Sequence, residues 1–374
     1  MLIKRIIQPK IEASLFKGKA IIIYGARQVG KTTLVKEIQK KFVAASLYLN
    51  CDEPDIRAAL TNTTSTELKA YFGTKKIIII DEAQRVENIG LTLKLLVDAF
   101  PELQIIATGS SSFELSNRIV EPLTGRAFEF LLYPFSSEEL GEQYAPLEIK
   151  RLLEQRLIYG MYPEIVEQTE NIATRLKNIA RSYAYKDILF YQHIRNPDIL
   201  EKLLSALALQ IGHEVSYSEL AKLLSINRVT VENYVAILEK AFIIFRLRPY
   251  STNPRKELAK LRKIYFYDTG IRNALINNLN PLNLRSDAGA LWKNFWILER
   301  LKNNHNHGRD ARAYFWRNYQ KQEIDYIEEA NGKLAAFECK WSVTKPARAP
   351  SGWRALYPGA SFTAVHPGNF LEIK

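Results

Sequence analysis

The chain has 374 residues, of which 47% are hydrophobic and 25% are charged, a composition typical of a soluble globular protein with two or three domains. No apolar run approaches the length that crosses a bilayer, and residues 1–10 lack a signal-peptide core, so we expect neither a membrane segment nor a secretion signal. Cys51 and Cys339 are the two cysteines, which excludes a disulfide framework and predicts a reducing, cytoplasmic setting.

The net charge of +12 is unevenly distributed along the chain. Residues 1–210 contain 27 basic and 25 acidic residues, whereas residues 211–374 contain 25 basic and 15 acidic residues. This surplus predicts that the second half meets a partner with dense negative charge, and duplex DNA is the first candidate. We do not expect a membrane partner, because no basic amphipathic helix stands out. Charge that serves only solubility is the alternative.

The first predicted element is a strand, loop and helix that together fit a phosphate-binding loop. Residues 20–24 are apolar, and residues 25–33 read Gly-Ala-Arg-Gln-Val-Gly-Lys-Thr-Thr, which satisfies the pattern at every required position. Glycines at the two ends permit backbone angles that turn loop N–H groups towards phosphate oxygens, and the new helix adds its positive end. The predicted nucleotide-binding residues are Gly25, Ala26, Arg27, Gln28, Val29, Gly30, Lys31, Thr32 and Thr33.

A second predicted strand carries two carboxylates at its end. Residues 77–80 are four isoleucines, typical of an inner strand of a sheet that is covered on both faces, and Asp81-Glu82 follow them. With Lys31 on the β- and γ-phosphates and the Thr32 hydroxyl on Mg²⁺, Asp81 is predicted to bind the metal through water. Glu82 is predicted to be the general base for the attacking water. A buried strand followed by a solvated turn is the alternative.

A third predicted strand, residues 104–107, ends in Thr-Gly-Ser-Ser-Ser. We expect the hydroxyls of Thr108 and Ser110 to contact the γ-phosphate or to orient the attacking water. An ordinary turn is the alternative, because serine and glycine are common turn residues.

These parts, in this order, resemble the archaeal and bacterial ATPase branch of the AAA-plus superfamily. Residues 123–126 (Leu-Thr-Gly-Arg), 132–136 (Leu-Tyr-Pro-Phe-Ser), 159–164 (Tyr-Gly-Met-Tyr-Pro-Glu) and 267–270 (Tyr-Asp-Thr-Gly) also fit this family. The resemblance spans nearly the whole chain and is most specific in the first 140 residues. It implies ATP and Mg²⁺ as cofactors and Arg126 as an arginine finger, with Arg118 as the fallback. A surface salt bridge is the alternative role for Arg126.

The predicted fold class is α/β with four parts: a P-loop ATPase core with a parallel sheet (1–140), a helical lid (141–210), a winged helix-turn-helix (211–280) and an α/β nuclease-like domain (285–374). Leucine and isoleucine repeat at helical spacing between residues 152 and 158 and again between 199 and 207. This repeat predicts the helical lid, which we expect to lie over the nucleotide.

Residues 213–250 have the pattern of a winged helix-turn-helix. We predict a helix at 218–224 with Ser218 as its cap, a turn at 225–227, a second helix at 228–240 and a strand at 243–247. In DNA-binding versions the second helix enters the major groove, and a basic segment such as 246–263 contacts phosphates. A protein-binding module is the alternative. The predicted DNA-contact residues are Asn227, Arg228, Thr230, Asn233, Arg255, Lys256 and Lys260.

Two predicted strands near the end of the chain, joined by a turn at 331–332, carry Glu323, Asp325, Glu338 and Lys340. Residues two apart on a strand share a face, so these side chains are predicted to converge as a Mg²⁺ site for phosphodiester cleavage. The pattern resembles the restriction-endonuclease-like fold of the PD-(D/E)XK nucleases. In that scheme Asp325 and Glu338 hold the metal, and Lys340 stabilises the nucleophile or the charged intermediate.

One position departs from that resemblance. Lys293 stands where the first helix of the nuclease fold usually offers a glutamate, and Glu299 points about 120° away on the same predicted helix. We expect Lys293 to pair with Glu338 and to occupy the metal position, which leaves a degenerate domain for DNA or protein contact. His305 and His307 look like a mobile loop tip and receive no role.

The sequence therefore predicts an ATPase that couples nucleotide state to DNA engagement by its basic second half. A nucleotide-gated protein-interaction switch with little hydrolysis is one alternative, and an Mg²⁺-dependent nuclease regulated by ATP is another. A homo-oligomer or a protein partner is compatible with each of these functions.

Overall fold

The computed structural model describes residues 2–109, 123–168, 170–182, 196–251, 262–342 and 347–373. The chain divides into two compact units. The N-terminal unit comprises Lys4–Pro134 with Lys240–Phe242, and the C-terminal unit comprises Met1–Ile3, Phe135–Glu239 and Ile243–Lys374.

The N-terminal unit is a parallel sheet covered by helices. Its strands are β1 (Ala20–Tyr24), β2 (Ser46–Asn50), β3 (Ile77–Asp81), β4 (Gln104–Gly109) and β5 (Ala127–Leu131), in the spatial order β2-β3-β4-β1-β5. Its helices are α1 (Gln8–Glu12), α2 (Lys31–Lys40), α3 (Pro54–Leu60), α4 (Ser65–Phe72) and α5 (Ile89–Ala99), with 3₁₀ turns at Val43–Ala45 and Ala83–Arg85. Because every strand pair is parallel, the carboxyl ends of β1, β4 and β3 lie side by side.

Three sequence predictions for this unit are confirmed. The strand at 20–24 and the helix after the loop are β1 and α2, and the four isoleucines form the fully buried strand β3. Ile78 and Ile80 belong to one hydrophobic cluster, which also contains Leu93 and Leu96 of α5. Burial on both faces therefore explains why β3 shows no polar alternation.

The C-terminal unit combines helices with a mixed seven-stranded sheet. Its helices are α6 (Ser137–Leu140), α7 (Pro146–Tyr159), α8 (Pro163–Glu167), α9 (Ile172–Arg181), α10 (Pro197–Leu209), α11 (Tyr217–Leu224), α12 (Arg228–Lys240), α13 (Thr269–Leu275), α14 (Ala288–Asn306) and α15 (Ser351–Leu356), with a 3₁₀ turn at Leu282–Leu284. Its strands are β6 (Glu214–Val215), β7 (Ile244–Pro249), β8 (Arg262–Phe266), β9 (Arg312–Arg317), β10 (Glu323–Ala330), β11 (Lys333–Cys339) and β12 (Ser361–Val365). The spatial order is β12-β11-β10-β9-β7-β8-β6.

One strand pair crosses the boundary that we expected between 211–280 and 285–374. β7 pairs with β9 in parallel, with Arg248 opposite Tyr314 and Pro249 opposite Phe315. The strands that follow the helix-turn-helix and the strands near the end of the chain consequently share a single sheet.

The local predictions for this unit hold in part. The second helix of the helix-turn-helix is α12, with the predicted bounds, and the turn at 331–332 closes a hairpin with both residues in the left-handed region. Ser216, and not Ser218, caps α11, because its hydroxyl accepts the Glu219 N–H. The predicted loop tip at His305 is wrong, because this residue lies in the last turn of α14.

The motifs at 159–164 and 267–270 interlock in the C-terminal unit. The buried Asp268 carboxylate accepts the N–H groups of Met161 at 2.7 Å and Ile271 at 3.0 Å. Gly160 has φ 82°, and a Cβ there would lie 2.0 Å from Asp268 Oδ1. Burial raises the pKa of Asp268 to about 6. The two sequence motifs therefore hold the end of α7 against the start of α13 through Asp268, and we call this set of contacts the lock.

This lock predicts a large stability effect at Gly160. Gly160→Ala is expected to lower the free energy of unfolding by about 3 kcal/mol, because the new methyl group collides with Asp268 and the backbone requires a positive φ. Gly289→Ala is the matched control, because a Cβ at Gly289 meets no atom within 4 Å. Urea unfolding of both variants measures the difference, and equal midpoints would contradict the prediction.

Both cysteines are buried free thiols. Burial raises the pKa of Cys51 to about 12 and also raises the pKa of Cys339, so both stay protonated at neutral pH. In the part of the chain that the structure describes, none of the helices combines the length and the apolar character needed to cross a bilayer.

Candidate functional site

The predicted phosphate loop lies between β1 and α2, at the carboxyl edge of the parallel sheet. Gly25 approaches the residue that follows β5 so closely that a Cβ would lie 2.2 Å from the Leu132 carbonyl oxygen. Gly30 caps α2 with φ 94°, and Gln28 also has a positive φ. Two positions of the loop thus depend on glycine, one through close approach and one through its backbone angle.

Lys31 begins α2 and folds back over its own loop. Its side chain is buried, and Nζ donates to the carbonyl oxygens of Gly25 at 3.0 Å and Ala26 at 2.7 Å. The ammonium group therefore lies at the positive end of α2, where anionic ligands are favoured.

The carboxylate of Asp81, at the end of β3, accepts hydrogen bonds from three hydroxyl groups. Thr32 donates to Oδ2 at 2.7 Å, the Tyr48 hydroxyl donates to the same oxygen, and Thr108 donates to Oδ1. Thr32 comes from α2, Tyr48 from β2 and Thr108 from β4. The strand order makes this possible, because β3 lies between β2 and β4. The array joins the two residues that we predicted to bind Mg²⁺, and their oxygens are the hard ligands that this ion prefers.

Sequence reasoning missed Tyr48. Burial and the Asp81 carboxylate raise its pKa, so the phenol remains a donor at neutral pH. The ammonium group of Lys36 lies 5.2 Å from the centre of the Tyr48 ring and supports its position. The contact between Tyr48 and Asp81 depends on the register of β2 against β3. No pattern in the sequence indicates that register, so the sequence alone could not predict the role of Tyr48.

Tyr48 is therefore expected to position Asp81. Tyr48→Phe should raise the Mg²⁺ concentration needed for half-maximal ATP turnover about tenfold, because the carboxylate loses one donor that fixes its orientation. At saturating Mg²⁺ we expect a rate close to that of the original chain. Tyr71→Phe, at an exposed tyrosine of the same unit, is the control. An unchanged Mg²⁺ dependence would remove Tyr48 from this role.

Glu82 follows in a left-handed conformation with φ 54°. Its N–H donates to the Thr108 hydroxyl at 3.2 Å, and its carboxylate accepts from Gln84 Nε2 at 2.5 Å. A non-glycine residue with positive φ at a strand end is uncommon and often marks a functional position. Thr108 thus bonds both to Asp81 and to the backbone of Glu82. Ser110, the other predicted sensor hydroxyl, lies outside the described residues.

Arg126 lies at the opposite edge of the sheet from the phosphate loop. Its carbonyl accepts the Ala20 N–H at 2.9 Å, where β1 and β5 begin, about 16 Å from the carboxyl ends of these strands. Its side chain pairs with Asp98 at 2.6 Å, and both groups are exposed. Arg126 therefore cannot reach the loop of its own chain, and its role as an arginine finger stays a prediction. Arg118 lies outside the described residues.

The predicted DNA-contact residues of the helix-turn-helix divide into two groups. Asn227 caps α12, because its Oδ1 accepts the N–H of Thr230 at 2.7 Å and the Thr230 hydroxyl at 2.9 Å. Arg228 and Asn233 are exposed, and Arg228 pairs with Glu232 at 2.9 Å. Asn227 and Thr230 thus have a structural role, whereas Arg228 and Asn233 face solvent. Arg255, Lys256 and Lys260 lie outside the described residues.

Two basic residues of the predicted phosphate-contacting segment are paired within the protein. Arg246 donates Nε to Glu239 at 2.8 Å. Lys263 is 1% exposed and pairs with Glu323. Arg246 is half-buried and Lys263 is buried, so neither is placed as a surface contact for a phosphate group, unlike the exposed Arg228. Arg248, by contrast, is exposed.

The carboxylates of the predicted nuclease site are paired with lysines. The expectation that Lys293 pairs with Glu338 is wrong, because Lys293 pairs with Asp325 and Glu338 pairs with Lys340 at 2.8 Å. Burial, followed by the Asp325 charge, raises the pKa of Glu338. Among the residues that the structure describes, no group of three histidines, cysteines or carboxylates is arranged to hold a metal ion.

The contacts of Glu299 lie outside the predicted nuclease site, as expected. It accepts the Ser137 N–H at 2.5 Å and pairs with Lys302 at 2.8 Å. The sequence prediction that Glu299 cannot replace a glutamate at position 293 therefore agrees with its contacts.

The parallel sheet, the glycine-bracketed loop and the Thr32–Asp81 contact define a P-loop nucleotide-binding domain. Consistent with this class, residues 17–141 match a family described as an AAA domain. Residues 150–282 match a domain of unknown function, DUF8612, and residues 288–370 match another domain of unknown function, DUF4143.

The chain also has relatives in distant organisms. An uncharacterized protein of Mycobacterium tuberculosis is 27% identical over 340 residues, which are 90% of this chain and 73% of that protein. An uncharacterized protein of Methanocaldococcus jannaschii is 28% identical over 316 residues, which are 79% of this chain and 69% of that protein. The fold is similar to that of a Walker-type ATPase of Pyrococcus abyssi, with a TM-score of 0.51 and 17% identity over 73% of this chain and 96% of that chain. Residues 17–141 thus match the AAA domain family and have the fold of a P-loop nucleotide-binding domain.

Proposed function

We propose that this protein hydrolyses ATP with Mg²⁺ and couples its nucleotide state to the engagement of duplex DNA by the C-terminal unit. The observation that carries the ATPase part is the array in which Thr32 and Thr108 donate to Asp81 beside the Lys31 loop. It unites the phosphate loop, the carboxylate that we predict to bind Mg²⁺ and the third strand at one edge of the sheet.

Each residue at this edge of the sheet would have its own role in ATP hydrolysis. The loop N–H groups and Lys31 would hold the phosphates, and Thr32 and Asp81 would hold Mg²⁺. When bound, this ion neutralises charge that develops on the phosphate oxygens. Glu82, oriented by Gln84, would accept a proton from the attacking water.

The elements around α12 support the DNA part of the proposal. α11, a tight turn and α12 are followed by β7 and β8, and β8 lies between β6 and β7 in antiparallel pairing. This order is typical of a winged helix-turn-helix, in which the start of the second helix meets base edges. Arg228 and Asn233 are exposed there, and the basic surplus of residues 211–374 favours a polyanionic partner.

One observation favours the alternative of a nucleotide-gated protein-interaction switch. Leu223 and Val229, which flank the turn between α11 and α12, are 67% and 63% exposed. Exposed apolar side chains on both sides of one turn are a feature that a protein-binding surface can use. If a protein is the partner, this apolar pair rather than Arg228 would carry the contact.

ATP turnover measured across a titration of duplex DNA and salt separates the two functions. For the DNA function we expect stimulation of turnover and a binding constant that falls steeply with salt, because counterions are released. Arg228→Ala should weaken DNA binding about tenfold, whereas Arg309→Ala, at an exposed basic residue in the connection between α14 and β9, should not. Absent DNA binding, or binding that is flat across salt, would favour the protein switch.

Cleavage of plasmid DNA in Mg²⁺ or Mn²⁺ tests the third function, a nuclease regulated by ATP. We expect no cleavage, because lysines neutralise the carboxylates that the metal would need. Cleavage that disappears in Asp325→Ala would support the nuclease function instead.

A further inference from the structure

The C-terminal unit contains an ionic cluster centred on the buried Asp325 of β10, which also includes Glu323 of β10, Glu338 of β11 and three lysines. We propose that the ammonium group of Lys293 takes the place of a divalent cation beside Asp325, so that the cluster neutralises itself and binds no metal. Neither ATP turnover nor DNA binding enters this inference, and it can fail or hold independently of the proposed function.

Asp325 is the centre of the cluster. Its side chain is 5% exposed, and one carboxylate oxygen pairs with Lys293 of α14. The other oxygen accepts the backbone N–H of Cys339 at 3.0 Å. Each oxygen thus has a donor from the protein, and one of these donors carries the positive charge that a buried carboxylate requires.

The two flanking carboxylates are half-buried, and each is also paired with a lysine. Glu323 pairs with Lys263, whose Nζ also lies 5.0 Å from the centre of the Phe315 ring. Glu338 pairs with Lys340 at 2.8 Å. Lys263 of β8 and Lys293 of α14 reach the two carboxylates of β10 from other elements, so their pairing is a property of the fold, whereas Lys340 pairs with Glu338 within one local segment.

The charges of the cluster also act on one another. Lys263 pairs with Glu323 and Lys293 pairs with Asp325, so two ammonium groups lie against carboxylates of the same strand β10. A divalent cation entering here would therefore meet two ammonium groups that are already held by the carboxylates, and it would be repelled.

Removal of the Lys293 charge should convert the cluster into a cation site. Lys293→Met leaves Asp325 buried without its cation, which is strongly destabilising. We expect the melting temperature to fall on the order of 10 °C. A hard divalent ion such as Mn²⁺ can then occupy the space beside Asp325 and Glu338, and added MnCl₂ should restore a large part of the loss.

The experiment compares the melting temperatures of the nucleotide-free full chain, Lys293→Met, Asp325→Asn and the double variant, each in excess MnCl₂ or in EDTA. Mn²⁺ should stabilise Lys293→Met more than the double variant, which lacks the carboxylate and keeps only the response of the phosphate loop. The original chain and Asp325→Asn should respond equally to Mn²⁺, because any response of the phosphate loop is common to both.

Two results would overturn the inference. A response to Mn²⁺ in the original chain that Asp325→Asn abolishes would mean that the natural cluster binds metal. A destabilised Lys293→Met that Mn²⁺ does not stabilise would mean that Lys293 does not occupy a cation position. If Lys293→Met fails to fold, calorimetric titration of the original chain and Asp325→Asn with MnCl₂ decides, and equal heats support the inference.

Discussion

Replacement of Lys31 by alanine is expected to weaken ATP binding about 100-fold or more, which corresponds to the loss of a charged partner worth about 3 kcal/mol. In the structure the ammonium group lies over the loop, within reach of the Gly25 and Ala26 carbonyls. We expect it to exchange these carbonyls for the β- and γ-phosphates when ATP binds. Alanine leaves the loop N–H groups but removes the charge that holds the triphosphate end.

Calorimetric titration with ATP and Mg²⁺ measures this loss directly. Lys40→Ala is the matched control, because Lys40 carries the same charge on the same helix α2 but is 69% exposed. A circular dichroism spectrum and an unfolding curve establish that Lys31→Ala is folded. If the folded variant binds ATP with the affinity of the original chain, the loop is not the triphosphate site.

Local patterns in the sequence predicted most of the elements that build this site. The isoleucine run of β3 and the apolar run of β1 needed no tertiary information, because strands buried on both faces are continuous in hydrophobicity. The phosphate loop and the turn at 331–332 could also be predicted from their glycines, because few other residues adopt these backbone angles. The bounds of α12 followed from its buried face of Val231, Val235 and Leu238.

The partners of charged side chains could not be predicted in the same way. Lys293 pairs with Asp325 and not with Glu338, because the choice depends on how α14 packs against β10 and β11. Tyr48 reaches Asp81 only through the register of β2 against β3, which no local pattern encodes. Arg126 had a suitable position in the motif order, but the direction of β5 carries it away from the phosphate loop.

The interlock of Asp268 with Gly160 belongs to the same class of non-local features. Both residues occur in short motifs that could be recognised, yet their contact joins segments more than one hundred residues apart. The capping preference of aspartate predicts the bond to Ile271. Nothing in the sequence predicts the second bond to Met161, which closes the lock. Sequence reasoning therefore identified the individual motifs more reliably than the contacts between them.

Glu82→Gln is expected to retain ATP binding within a few-fold and to lower the rate of hydrolysis about 100-fold or more, the usual contribution of a general base. Glutamine preserves the size of the side chain and can still accept from Gln84. The backbone N–H that bonds to Thr108 is unchanged, so the Asp81 array should stay intact. Only the ability to take a proton from water is lost.

Single-turnover hydrolysis and calorimetric binding, measured on the same preparation, separate these two effects. Glu87→Gln, an exposed residue on the same connection, controls for the change in net charge. A slow variant with weak ATP binding would assign Glu82 to the architecture of the nucleotide site instead of to catalysis. A variant as fast as the original chain would remove Glu82 from the reaction, and the proton acceptor would then have to be sought elsewhere. The left-handed backbone conformation at Glu82 is energetically costly for a glutamate. If the variant kept both ATP binding and the rate of hydrolysis, catalysis would not explain why the protein maintains this conformation.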